Sequence, residues 1–135
     1  MNEEFVPFEL AKKLKEKGYP QNSDNMGCMP YYEYDEVANH SALCNEIVWH
    51  MSSEPRDNIF AAPAIHKVLK WLREEKKIHI IVEISDSGWY YTLYPNIRWE
   101  NGKLKTDKYI MSFKHKVSCE QAALAGIEYV LDKKI

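Results

Sequence analysis

The sequence lacks several features that would define its class at once. No hydrophobic run approaches the ~20 residues that a membrane-spanning helix needs. The first residues, Met1 to Glu4, are acidic, and no apolar signal segment follows them. There are three cysteines, an odd number with no Cys-x-x-Cys spacing: Cys28, Cys44 and Cys119. We therefore expect a cytoplasmic protein with free thiols and no membrane partner.

The chain also lacks an excess of charge of either sign. Its formal net charge is -2 and its pI is about 6.2, which disfavours a general nucleic-acid binder because phosphate neutralisation requires clustered Lys and Arg. What it does have is aromatic residues, 13% of the total, including nine Tyr and four Trp. At 135 residues the length predicts a single domain, residues 1–135.

The clearest periodicity begins at Pro63. Ile65, Val68, Leu69 and Leu72 recur at the spacing of one buried helix face, which predicts a helix over 63–76. At the other end, Ser118 with Gln121 three residues later fits a capping box and predicts a helix over 119–133. Gly126 falls inside that helix, where it favours a close approach to a sheet.

Between the two helices the hydrophobic period changes from 3.6 to 2. Alternation of apolar and polar residues predicts strands at about 78–85, 89–95 and 109–115. Asp86-Ser87-Gly88 is a tight-turn signal. The order α-β-β-β-α predicts an α+β fold, with a three-stranded antiparallel sheet covered on one face by the two helices. Asn101-Gly102 predicts a further turn, which pairs Arg98–Glu100 with Lys103–Lys105.

The N-terminal half is less regular. Pro7 to Lys17 is predicted to form a helix that ends at Gly18. Residues 30–34 are predicted to be extended, with Pro30 at a strand start or an edge. Residues 36–58 are interpreted as an insertion or flexible segment, although the spacing of Leu43, Cys44, Ile47 and Val48 also fits a short helix. We expect the N-terminal helix and residues 30–50 to pack at an edge or on the second face of the sheet.

Two arrangements of chemistry-bearing residues were weighed. His40 and Cys44 with a nearby His50 offer zinc ligands, but a structural site needs four ligands, and we predict no metal and no cofactor. Cys119 at a helix N-terminus, where the dipole lowers a thiol pKa, has His115 upstream. Glu120 beside it opposes thiolate formation, and we predict that the protein is not an enzyme.

The aromatic strand offers a binding surface. Trp89, Tyr91 and Leu93 point to one side of it, and Tyr90, Thr92 and Tyr94 to the other, so one set faces the helices. The other set is either covered by the N-terminal segments or available to stack on bases or to bind a protein. The candidate binding residues are Tyr90, Tyr94, Lys114 and Lys116.

One resemblance covers nearly the whole chain. Its residues are Glu4-Phe5-Val6-Pro7-Phe8-Glu9-Leu10-Ala11, then Ala61-Ala62-Pro63 leading into Val68-x-x-Trp71-Leu72-Arg73-Glu74, and the final helix Ser118–Leu131. Together they resemble a family of small proteins encoded by phages and prophages of gut Bacteroidetes. That family carries no assigned activity, so the resemblance implies an accessory role and transfers no functional residue.

Two further resemblances concern topology. The order of helix, three antiparallel strands and helix is similar to double-stranded-RNA-binding domains, which need a basic start to the last helix, where this chain has Ser118, Cys119 and Glu120. The strand Trp89–Tyr94 with the late helix also resembles HicB-type antitoxins. Our leading hypothesis is a non-catalytic binding module that contacts a protein partner or a second copy of itself. The alternative is a nucleic-acid-associated regulator, with Lys12, Lys13, Lys114 and Lys116 as its basic stripe.

Overall fold

The computed structural model describes residues 5–21, 29–35, 40–48, 59–112 and 114–135. The fold is α+β, as predicted. The chain divides into two compact units, Met1–Ala64 and Ile65–Ile135. Each unit has its own antiparallel three-stranded sheet. The single-domain organisation stays a prediction.

The first unit combines one helix with one sheet. Helix α1 spans Phe8–Glu16, within the predicted limits, and buries Leu10, Ala11 and Leu14. Gly18 follows the helix with φ +94°, which fits the predicted C-terminal position because glycine adopts positive φ without a Cβ penalty. Strands β1 (Met29–Asp35), β2 (His40–Val48) and β3 (Ile59–Ala61) form the sheet in the order β2-β1-β3.

The sheet of the first unit corrects one expectation and confirms another. The helical alternative for Leu43 to Val48 is wrong, because this segment belongs to β2, which pairs with β1 over His40–Cys44 and again at Val48. Pro30 is the second residue of β1, at a break in register between Met29 and Tyr31, which confirms the predicted strand start; β1 itself is the central strand. Residues 36–39 and 49–58 of the predicted insertion lie outside the described residues.

Aromatic contacts join α1 to the sheet of its own unit. Phe8 packs edge-on against Tyr32 at 5.5 Å and Phe60 at 5.4 Å between ring centroids. The Tyr32 hydroxyl donates a 2.8 Å hydrogen bond to the carbonyl of Val6. The Val6 N–H in turn donates to the carbonyl of Pro63. The backbone just before α1 is therefore hydrogen-bonded both to β1, through Tyr32, and to the segment that follows β3.

The second unit contains the predicted core. Its elements are α2 (Ile65–Glu75), β4 (His79–Ser85), β5 (Gly88–Tyr94), β6 (Arg98–Glu100), β7 (Lys103–Lys105), β8 (Ile110–Met111) and α3 (Cys119–Lys133). The main sheet has the order β4-β5-β8. Ser118 accepts a 3.1 Å hydrogen bond from the Gln121 N–H, which confirms Ser118 as the N-cap of α3.

The β4–β5 hairpin follows the sequence prediction closely. Ser85 lies opposite Gly88, so Asp86 and Ser87 form the two-residue turn. Gly88 has φ +124°, and a Cβ on it would lie 2.7 Å from the Lys116 carbonyl oxygen. A side chain would therefore be excluded there by both backbone conformation and space.

The third strand is shorter than predicted. Regular pairing with β5 is limited to Ile110 and Met111. Beyond them the Ser112 hydroxyl replaces a backbone acceptor and takes a 3.0 Å hydrogen bond from the Tyr91 N–H. Contact with β5 resumes at an isolated bridge between Trp89 and Lys116. The alternation over 109–115 predicted the right segment. It could not show that the Ser112 hydroxyl takes the place of a backbone carbonyl in the hydrogen-bond ladder.

Both helices cover one face of the main sheet. Helix α3 packs on β4 and β5, and α2 packs on β4 and α3. At Gly126 of α3, a Cβ would lie 3.1 Å from Ile80 Cγ2 and 3.2 Å from Tyr91 Cγ. The glycine therefore permits the close approach that the sequence predicted. Leu93, Ile127 and Leu131 are fully buried in this layer.

Strands β6 and β7 form a separate ribbon. Trp99 lies opposite Leu104, and the flanking pairs are Arg98 with Lys105 and Glu100 with Lys103. Asp107 at the base of the ribbon accepts a 3.1 Å hydrogen bond from Arg98. Its N–H donates to the carbonyl of Pro95. The base of the ribbon is thus fixed to the end of β5.

Candidate binding face

Strand register decides which aromatic set faces the helices. Ile80 pairs with Leu93 and Val82 with Tyr91, and directly paired residues project to the same side of a sheet. Since Ile80 and Tyr91 contact Gly126 of α3, Trp89, Tyr91 and Leu93 are on the helix-covered side. The opposite side, here called the tyrosine face, carries His79, Ile81, Glu83, Tyr90, Thr92, Tyr94 and Met111.

Two clusters of rings occupy the tyrosine face. Tyr94 lies 6.0 Å from Tyr109 and 6.4 Å from His79 between ring centroids. Tyr90 packs edge-on against His115 at 5.5 Å. Tyr90 and Tyr94 are four residues apart on one strand, about 13 Å, so the clusters lie at the two ends of β5.

The middle of the face is apolar. Thr92 is buried, at 5% exposure, while Met111 opposite it is 43% exposed. Ile81 pairs with Thr92 from the other side and is half-buried. Tyr109 beside Tyr94 is 54% exposed. The tyrosine face therefore offers partly exposed apolar and aromatic area with hydroxyl groups at its ends, the composition that protein interfaces favour.

Hydrogen bonding and burial shift the pKa of two groups on this face. The Tyr90 hydroxyl donates a 3.0 Å hydrogen bond to Glu83 Oε2, and that bond is the main cause of a raised pKa for Tyr90. Burial, and secondarily the charge of Arg73, lowers the pKa of His79 below 6.5. His79 is therefore mostly neutral at pH 7, where it can both donate and accept a hydrogen bond.

Of the two candidate lysines near the tyrosines, Lys116 projects to the other side of the sheet. Lys116 bridges Trp89 through both backbone groups, which puts its side chain on the side of Trp89, away from the tyrosine face. Lys114 is exposed just before it. Lys12 and Lys13 belong to α1, in the other unit.

The ribbon carries a second exposed apolar pair. Trp99 is 74% exposed and Leu104, directly opposite, is 61% exposed. Sequence analysis predicted the ribbon but missed this pair. The sequence does contain a signal for it, because each three-residue strand has one apolar residue between two charged residues. When the two strands pair, both apolar residues project from the same face of the ribbon.

The structure gives no activated thiol at Cys119, and it places His40 and Cys44 in a strand and not on a helix face. Burial, with Glu120 adding, raises the pKa of Cys119, the opposite of an activated thiol. His115 packs against Tyr90 instead. His40 and Cys44 lie in a strand, where positions four apart are separated by about 13 Å, and His50 and Cys28 lie outside the described residues. Among the described residues, no group of three or more His, Cys, Asp and Glu could hold a metal.

Within the same described part of the chain, no helix has the length and apolar character to cross a bilayer. Comparison with protein-family models, with curated proteins and with solved structures finds no match to this chain. The similarity to phage and prophage proteins therefore stays a prediction.

Proposed function

We propose that this protein is a non-catalytic binding module of phage or mobile-element origin, which acts in the cytoplasm by binding another protein at the tyrosine face. The observation that supports the proposal most is the exposure of aromatic and thioether side chains on this face. Tyr109 and Met111 are 54% and 43% exposed, and Tyr109 packs on Tyr94.

The rings are already held in place by their neighbours. Tyr90 is fixed by Glu83 and His115, and Tyr94 by His79 and Tyr109. Tyrosine loses little conformational entropy on binding because only two side-chain torsions are restricted. A partner with an apolar centre, and with a hydrogen-bond donor or a cation placed opposite Glu83, would complement this face.

Charge placement favours protein over nucleic acid as the partner. The one carboxylate of the tyrosine face, Glu83, repels phosphate, and Lys116 projects to the other side of the sheet. A nucleic-acid-associated regulator therefore remains the alternative, to be separated by experiment.

The test is affinity capture with the full chain immobilised, from a lysate of the organism that encodes it, with and without nuclease. We expect one captured protein that survives nuclease treatment. The affinity of the captured protein for the immobilised chain should fall at least about tenfold with Tyr90→Ala/Tyr94→Ala, because Tyr is enriched among the interface residues whose truncation costs more than ~1 kcal/mol.

The matched control is Trp99→Ala/Leu104→Ala, which removes a similar apolar area from the ribbon. Capture should be unchanged in that variant. Circular dichroism melts show whether each variant is folded. Equal capture by the tyrosine variant would overturn the proposal, and capture that disappears with nuclease would favour the nucleic-acid alternative.

A further inference from the structure

Within the described residues, the outer edge of β4 has backbone groups without a hydrogen-bond partner. Trp89 and Tyr91 direct their N–H and C=O groups towards Lys116 and Ser112, away from β4. The alternate residues of β5 are therefore the ones bonded to β4, since backbone groups alternate in direction along a strand. It follows that Ile80, Val82 and Ile84 direct their backbone groups outward from β4.

No hydrogen bond in the described part of the chain occupies these outward groups. The edge is closed only at its start, where the Ile78 N–H donates to the Leu72 carbonyl. An unpaired edge of this length is a template for another strand. The occupant must therefore supply an extended backbone.

The sequence of β4 protects this edge weakly, with Glu83 as its one charged side chain. Natural edge strands are blunted by charged side chains, especially Lys, and by Pro, bulges or short length, and β7 of the ribbon, Lys103–Lys105, shows such protection. β4 spans seven residues, has continuous register with β5 and contains no Lys or Pro. Ile84, whose backbone faces outward, has a side chain that is 66% exposed.

We propose that β4 pairs antiparallel with β4 of a second copy of this chain, centred on Ile81, so that two β4-β5-β8 sheets become one. In this register Ile80 lies opposite Val82 of the second copy, and each such pair exchanges both backbone hydrogen bonds. On the tyrosine face, His79 lies opposite Glu83 of the second copy.

The second copy is the occupant that the charges of β4 fit. His79 and Glu83 are its only ionisable side chains, and they are equally spaced about Ile81. An antiparallel copy therefore places each imidazole against a carboxylate at both ends. Neutral histidine donates a hydrogen bond to that carboxylate, and protonated histidine forms an ion pair with it. The helix-covered side meanwhile brings only Ile and Val together.

This inference does not rest on the proposed function, because it concerns the backbone edge of β4. It shares His79 and Glu83 with the tyrosine face, whereas Tyr90 and Tyr94 belong to β5, which does not take part in the pairing. Dimer formation is measured by sedimentation velocity from low micromolar to near-millimolar concentration. We expect the mass to rise from 15.9 kDa to twice that value. A monomer over the whole range would overturn the proposal.

Charge exchange tests the register. His79→Glu places two carboxylates opposite each other at both ends and should weaken the dimer about tenfold, since like charges directly opposed on strands are destabilising. Glu83→Lys should also weaken it. The double variant His79→Glu/Glu83→Lys restores opposite charges and should recover native association. Failure of the double variant to recover would refute the Ile81-centred register.

Two further measurements distinguish a lost dimer contact from a variant that fails to fold. Tyr90→Phe removes the hydrogen-bond donor to Glu83 without altering the edge, and its dimer should persist. Amide hydrogen exchange of the native chain needs no substitution. The Val82 and Ile84 amides should be protected only at high concentration, whereas the Ile81 and Glu83 amides, already bonded to β5, should be protected throughout. Concentration-independent exchange at Val82 and Ile84 would contradict edge pairing.

Discussion

The Tyr90 hydroxyl donates a hydrogen bond to Glu83 Oε2 across directly opposed positions of β5 and β4. The bond links the two strands at the surface, on the side away from the helices. It also stabilises the neutral phenol, because the ionised oxygen could no longer donate to a carboxylate. The pKa of Tyr90 is consequently raised above 10.0.

Glu83→Gln should lower the pKa of Tyr90 towards 10.0, because the carboxylate charge and its acceptor are both removed. Carbon-13 NMR titration of the tyrosine Cζ resonances of the folded protein measures this for each tyrosine separately. Tyr91 is the internal control, since burial is the main cause of its raised pKa. An unchanged Tyr90 titration would mean that Glu83 is not its partner in solution. Because the folded pKa is the higher one, the stability due to Tyr90 is complete below pH ~10 and decreases as pH rises through the folded pKa.

His79 makes the stability of the protein depend on pH in the acidic range, where stability is lost as the pH falls. Its folded pKa lies below 6.5, mainly through burial, so the unfolded chain binds the proton more readily. The free energy of unfolding should be unaffected by His79 above pH 6.5 and should decrease as pH falls through 6.5 towards the folded pKa. Urea unfolding of native protein and His79→Gln, both at low concentration, measures the difference. A variant with the same pH dependence as the native chain would contradict this assignment.

Gly88→Ala should destabilise the protein by more than ~2 kcal/mol, since positive φ and a Cβ 2.7 Å from the Lys116 carbonyl oxygen act together. Gly102→Ala is the control. Gly102 has φ +75° with no atom within 4 Å of the added Cβ, so that variant should cost only the backbone term, about 1 kcal/mol. Urea midpoints measure both, and equal losses would show that the contact with Lys116 is unimportant.

Gly126→Ala should lower stability by about 1 kcal/mol although alanine favours helices by a similar amount over glycine. The added Cβ meets Ile80 Cγ2 and Tyr91 Cγ, atoms close to the sheet backbone that have little freedom to move. Gly126→Val should cost more. Thermal unfolding monitored by circular dichroism gives the order, and a stabilised alanine variant would show that α3 shifts without penalty.

The sequence predicted the second unit well because its signals are local. The alternation from Ile78, the turn at Gly88 and the cap at Ser118 each specify their own element. The first sheet was missed because residues 36–58 were interpreted as an insertion or flexible segment, and the short apolar pattern around Leu43 fits a strand or a helix equally well. Only pairing with β1 decides between them.

The same distinction applies to the candidate site. Alternation established that Tyr90 and Tyr94 share a side, whereas the register with β4 and the contact at Gly126 were needed to show which side it is. The sequence could not reveal that Lys116 lies opposite Trp89, because the irregular ladder at Ser112 changes the spacing. The side on which Lys116 projects therefore comes from the structure and not from the sequence.

The ribbon of β6 and β7 gives the molecule an optical probe of its own. Trp99 is 74% exposed, while Trp71 and Trp89 are half-buried, and Trp49 lies outside the described residues. In a Trp49→Phe variant, collisional quenching by iodide will thus attenuate emission from Trp99 before that of the other two, and loss of this accessible component on mixing with a ligand would report contact at the ribbon without any attached dye.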